Sequence, residues 1–182
     1  MNNSAAVADL SEAIRLKPKL SKSYFHRSNA YKLFGNLDEA LADSTKSIEL
    51  TPNNHLAYFQ HALLKEKIGD LEGAIHDLSH TISLTWNTVL PSNEMASLAF
   101  ALRGNLRRRK GLLDYALEDF NNALDLNPYS ENAFLERASA YLEIGEVEAG
   151  LRDLTTAIGL NPRYKGGTAT CLYEVILSAL CC

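Results

Sequence analysis

The chain has 182 residues, 46% hydrophobic and 22% charged, with a formal net charge of -4. Such a composition excludes a disordered or low-complexity chain, and the acidic balance argues against a general nucleic-acid or membrane-surface binder, which would be basic. No uncharged apolar run reaches membrane-spanning length, Met1 to Ala5 carries neither the basic nor the apolar region of a secretory leader, and Asn2 excludes N-myristoylation. Cys171, Cys181 and Cys182 all stand near the C-terminal end. The body of the protein therefore needs no disulfide framework, and a reducing, cytoplasmic compartment is expected, with nucleus and cilium left open.

In chain order, residues 1–20 read as one helix, from Ala6 through Leu10 and Ala13 to Leu16, stopped by Pro18. Residues 21–54 read as two. Tyr24, Ser28 and Tyr31 recur at helical spacing, Gly35 breaks the pattern, and Ala40, Ser44, Ser47 and Ile48 resume it as far as Pro52. The unit returns over 55–88 with Gly69 and Ala74, over 97–130 with Gly111, Ala116 and Pro128, and over 131–164 with Gly145, Gly150 and Pro162. Those glycines stand 34, 42 and 34 residues apart, so eight extra residues are placed at 89–96, where Pro91-Ser92-Asn93 reads as a loop leading to a helix cap.

Glycine releases the first helix of each unit because it alone enters positive φ without strain. Asp38, Asp70 and Asp114 cap or charge-stabilise the start of the second. Helices are predicted near 5–16, 21–34, 38–50, 55–68, 72–84, 94–110, 114–126, 131–144 and 148–160. Residues 165–182 form an apolar tail or a capping helix, starting at about Thr168.

A 34-residue period with an aromatic, a small residue, Tyr, Gly, Ala and Pro in order resembles the tetratricopeptide repeat. The places are Tyr24, Ser28, Tyr31, Gly35, Ala40 and Pro52 in the first complete unit, and Phe134, Ala138, Tyr141, Gly145, Gly150 and Pro162 in the last. Lys65 and Arg107 depart from the pattern where Tyr is usual, and Trp86 where Pro is usual. The resemblance covers about residues 4–164. It implies an all-α, right-handed superhelical solenoid of antiparallel helix pairs, stabilised by stacking of neighbours.

The resemblance also implies a protein–protein interaction scaffold or adaptor that holds a peptide or partner helix in its concave groove. A co-chaperone, a non-catalytic array of a larger enzyme, and a ciliary or cytoskeletal assembly factor are the alternatives. The chaperone-binding members clamp a terminal carboxylate with Lys, Asn and Arg. Here the fifth places are Phe25, Phe59, Ala101 and Leu135, and the sixth are His26, Gln60, Leu102 and Glu136, so that clamp is not present as such. The start in mid-unit and the loss of pattern after Tyr164 raise the expectation of a fragment or isoform of a longer array.

Candidate chemistry is sparse. His76 and His80 are spaced to share a metal on one helix, but no third ligand is placed near them. Cys181-Cys182 lacks the four-residue prenylation box, since residue 179 is Ala. Arg107-Arg108-Arg109-Lys110 lies inside a helix and spreads its charges around the circumference. No phosphate loop or nucleophile elbow is present. The expectation is a non-enzyme without metal or cofactor, whose partner is a protein or peptide of acidic character, with no nucleic acid and no membrane.

Two sets of residues carry the remaining expectations. Arg27, Arg103 and Arg137 each precede an aspartate by sixteen residues, Asp43, Asp119 and Asp153, and His61 with Asp77 repeats the spacing. A half-buried arginine needs a carboxylate, so ion pairs joining the two helices of each unit are expected. On the first helices, Lys22, Phe25, Asn29, Lys32 and Leu33, then Leu56, Phe59, Leu63, Glu66 and Lys67, then Leu98, Ala101, Asn105, Arg108 and Arg109 share another face, with Asn132, Leu135, Ser139, Leu142 and Glu143 last. In the family that face lines the groove. Its arginines and lysines would attract an acidic segment, Asn29 and Asn105 would bond a peptide backbone, and Phe25 and Phe59 would anchor apolar side chains.

Overall fold

The computed structural model describes residues 3–86 and 93–161, and among them all regular structure is helical. The chain divides into two compact parts, Met1–Val89 and Leu90–Cys182. The N-terminal part holds α1 (Asn3–Leu16), α2 (Ser21–Phe34), α3 (Leu37–Leu50), α4 (His55–Lys67) and α5 (Leu71–Trp86); the C-terminal part holds α6 (Asn93–Arg109), α7 (Leu113–Leu126), α8 (Glu131–Glu143) and α9 (Val147–Leu160). Helix bounds differ from those expected by at most two residues, and those of α2 agree at both ends. Residues 93–96, assigned from the sequence to the insertion, form the first turn of α6, whose 17 residues exceed the 13 of α8 by about one turn. Residues 87–92 and the tail, with Cys171, Cys181, Cys182 and the helix expected from Thr168, lie outside the described residues.

Four helices end alike. Gly35, Gly69, Gly111 and Gly145 have φ of 80, 86, 75 and 85°, and no other described residue has positive φ. The residue after each glycine returns its N–H to the preceding helix, Asn36 to the Tyr31 carbonyl at 3.0 Å and Glu146 to the Tyr141 carbonyl at 2.8 Å, closing the left-handed helix stop. The next helix then starts almost at once. Asp70 caps α5 by accepting from the Gly73 N–H at 2.9 Å; Asp38 and Asp114 lie in the first turns of α3 and α7, where their charge suits the helix dipole.

Within a pair the helices are antiparallel and close. Ser21 bonds the Ser47 carbonyl at 3.0 Å and Ser28 the Ala40 carbonyl at 2.7 Å, so contacts advance on one helix as they retreat on the other. Ser97 repeats the first of these on Ala123 at 2.8 Å. The closest approach falls at small residues: Ser28, Ala40, Ala74, Ala116 and Ala138 are fully buried. At Gly104 a Cβ would meet the Phe120 ring at 2.8 Å, and at Gly150 one would meet Leu142 at 3.0 Å. Ala116 packs with Phe120 and Ala140, with Leu117 against them. Ala116→Leu therefore overpacks this contact and is expected to cost about 1–3 kcal/mol, read as a lowered melting temperature; an unchanged melting temperature would show that the contact has room to spare.

Candidate functional site

The orientation of the first helix of each pair is fixed by a buried ion pair. Arg27 donates through Nε and Nη2 to both oxygens of Asp43 at 2.6 and 2.8 Å, and Arg137 does the same to Asp153 at 2.7 and 2.8 Å. Arg103 holds Asp119 through Nε at 3.0 Å and Nη2 at 2.7 Å. His61 takes this place in the α4–α5 pair, with Nδ1 2.7 Å from Asp77. All four aspartates are buried. Each of these side chains also reaches back where the preceding helix offers a polar group: Arg27 to Ser11 at 2.9 Å, His61 to Thr45 at 3.2 Å, Arg137 to Asn121 at 2.7 Å. The pairs thus tie a helix both to its own partner and to the one before.

Lys65 and Arg107, the departures from the tyrosine pattern, supply a second cation. Lys65 Nζ lies 3.0 Å from Asp77 and Arg107 Nη1 2.8 Å from Asp119. Where the tyrosine is kept, its ring lies beside the arginine instead, Tyr31 at 5.8 Å from Arg27 and Tyr141 at 5.9 Å from Arg137. Burial works to raise the Asp77 carboxyl, but hydrogen bonds from His61 and Lys65 outweigh it and hold the group below its ordinary value. At Asp119 burial prevails over Arg103 and Arg107 and pushes the carboxyl up.

With that face of each first helix committed, the expected ligand face is distributed unequally. In the N-terminal part Phe25, Asn29, Lys32, Phe59 and Leu63 are half-buried, Lys22 and Lys67 are exposed, and Leu33 is 80% exposed. Among the described residues Lys22, Lys32 and Lys67 have no ion pair and Asn29 no side-chain hydrogen bond. In the C-terminal part Leu98, Ala101, Leu102, Asn105, Asn132 and Glu136 line a cavity of about 300 Å³ between α6 and α8. There Arg108 is already engaged: Nη2 lies 3.1 Å from Glu136 and Nη1 bonds Glu143, both on α8. Arg109 is exposed. Leu135 and Leu142, expected on the ligand face, pack instead on Ala138 and Leu154 of the core.

Sequence reasoning had not found Glu136 and Glu143 as partners of Arg108, nor Lys65 and Arg107 as members of the ion pairs. The signal for the second was present in the replaced tyrosines. His76 and His80 are exposed, with ring centroids 4.7 Å apart and His80 stacked on Tyr58 at 5.0 Å. Among the described residues no group of three or more His, Cys, Asp or Glu is placed to hold a metal, and no helix is long and apolar enough to cross a membrane.

Residues 21–54 match the family model of the tetratricopeptide repeat. That match spans one helix pair, α2 and α3. The all-α fold is shared with solved structures at low identity. MamA is 18% identical with a TM-score of 0.79, over 91% of this chain and 92% of that one. A MamA structure from Desulfovibrio magneticus RS-1 is 17% identical with a TM-score of 0.77, covering 88% and 86%. YrrB, described as a TPR protein with an unusual peptide-binding site, is 21% identical with a TM-score of 0.74, covering 88% and 79%. No curated protein matches the sequence.

Two consequences of the ion pairs are measurable. Asp119→Ala leaves two guanidiniums without their carboxylate and is expected to cost about 3–5 kcal/mol in urea unfolding; a loss below about 1 kcal/mol would mean that water replaces the carboxylate. Because the folded Asp77 carboxyl is held below its ordinary value, its contribution is present above the unfolded value of about 3.9 and is lost as pH falls through the lower folded one. Asp77→Asn is therefore expected to be less stable than wild type at neutral pH and to converge with it in acid below about pH 4. A constant gap across that range would contradict the assignment.

Proposed function

We propose that this protein is a non-catalytic interaction scaffold and that its ligand is an acidic, partly apolar segment of a partner protein. The observation that carries the reading is the α2–α4 face of the N-terminal part, where Lys22, Lys32 and Lys67 stand without carboxylates beside half-buried Phe25 and Phe59. In a chain of net charge -4, such a face selects ligands by complementary charge and anchors them by aromatic burial. Asn29 offers an amide donor and acceptor to an extended backbone. The cavity beside Asn105 and Asn132 suits an apolar side chain with its flanking peptide group. The tetratricopeptide fold supports the coarse reading, since stacked helix pairs build extended binding surfaces.

The test is affinity purification with the full chain, followed by titration of the recovered partner's segment. Binding is expected to weaken at least about tenfold between about 0.1 and 1 M salt, because exposed charges are screened. Phe59→Ala should weaken it by a comparable factor, as removal of a buried aromatic anchor does. A partner that binds independently of salt and of Phe59 would contradict the proposed ligand chemistry.

A further inference from the structure

Equivalent places in the two parts of the chain are filled with opposite charges. In the C-terminal part Arg108 on α6 meets Glu136 and Glu143 on α8, residues 28 and 35 further along. In the N-terminal part the residue at the place of Arg108 is Lys32 on α2, and those 28 and 35 further along are Gln60 and Lys67 on α4. α2 and α4 run in the same direction, each being joined to α3 by a short turn. Gln60 fixes their register, donating from Nε2 to the Ser28 hydroxyl at 3.0 Å and to the Phe25 carbonyl at 3.5 Å. Seven residues, two turns, beyond Phe25 and Gln60 are Lys32 and Lys67. Lys32 and Lys67 thus occupy the places that Arg108 and Glu143 occupy on α6 and α8, and the charge of Lys67 is felt at Lys32.

Where the C-terminal part closes on itself with one cation and two carboxylates, the N-terminal part has two ammoniums and one amide. The Gln60 Oε1 is buried without a hydrogen-bond partner. Lys32 is half-buried, and its ammonium is pushed below its ordinary value by burial and then by Lys67. Like charges drawn together with one of them partly out of water are unfavourable until a counter-charge joins them. The chain itself shows which group completes the arrangement, because at the matching place it uses glutamate.

We infer that Lys32 and Lys67 form a carboxylate-binding subsite that takes one Asp or Glu side chain of the partner segment between their ammoniums. The inference rests on the acidic-segment reading and adds where the charge is received; Arg108, already held by Glu136 and Glu143, receives none.

The experiment uses the full chain with ¹³C-labelled lysine and two end-capped probe peptides, one alternating Glu and Leu, the other Gln and Leu. The Glu peptide is expected to shift the Cε resonances of Lys32 and Lys67. Lys67→Glu, which installs the charge pattern of the C-terminal part, should weaken its binding by about tenfold or more without lowering the melting temperature. Lys32→Gln should weaken it likewise, and Arg108→Gln by less than about twofold. Binding of the Glu peptide that leaves both lysine resonances unmoved, or survives Lys67→Glu undiminished, overturns the subsite while sparing the acidic-segment reading. Equal binding of the Gln peptide, or no binding of the Glu peptide at about 1 mM, overturns that reading and the subsite with it.

Discussion

An arginine or histidine on one helix and an aspartate on the next, both drawn largely out of water, set the geometry of each helix pair. A guanidinium that meets both oxygens of a carboxylate tolerates little rotation about either helix axis, so Arg27, Arg103 and Arg137 fix how their helices roll. Close contacts among Ala, Ser and Gly hold the pair together, but such small residues would also permit neighbouring registers. The desolvated pair removes that freedom, since a shift of one residue would leave a buried charge alone. The outward positions follow. Once Arg103 points into its pair, Arg108 stands toward the neighbouring first helix, where it finds Glu143.

Much of this was legible in the chain. The sixteen-residue interval between Arg27 and Asp43 recurs in register, and recurrence within one sequence fixes a contact that a single interval would not. The glycines and the small residues at Ser28 and Ala138 were readable for a similar reason: backbone handedness and close approach admit few residue types. Side-chain reach was less accessible. Arg108 was assigned to the ligand face by helical periodicity, which gives a direction but no partner; its carboxylates lie 28 and 35 residues away on another pair. Leu142 shows the same limit, because a place on the ligand face becomes a core place when the facing residue is Gly150 and leaves room for it.

The low identity to MamA and YrrB fits this division of labour. Packing within a pair needs small residues, a glycine stop and a satisfied buried charge, and these admit many sequences. The faces left over are free to differ, and they differ even within this chain. Helix pairs of similar backbone present a neutralised arginine in one part and, in the other, lysines without an ion pair among the described residues, so the fold alone does not name a partner.

The glycine stops carry a consequence about chirality. At Gly35, Gly69, Gly111 and Gly145 an added Cβ would meet no atom within 4 Å beyond the glycine and its chain neighbours. What excludes other residues there is the sign of φ alone, which places an L-residue's Cβ against its own carbonyl. The four turns therefore act as filters of handedness and are indifferent to bulk. Alanine and a long side chain such as lysine would strain them alike, asparagine would strain them less because it tolerates the left-handed region, and side-chain volume would not order the series.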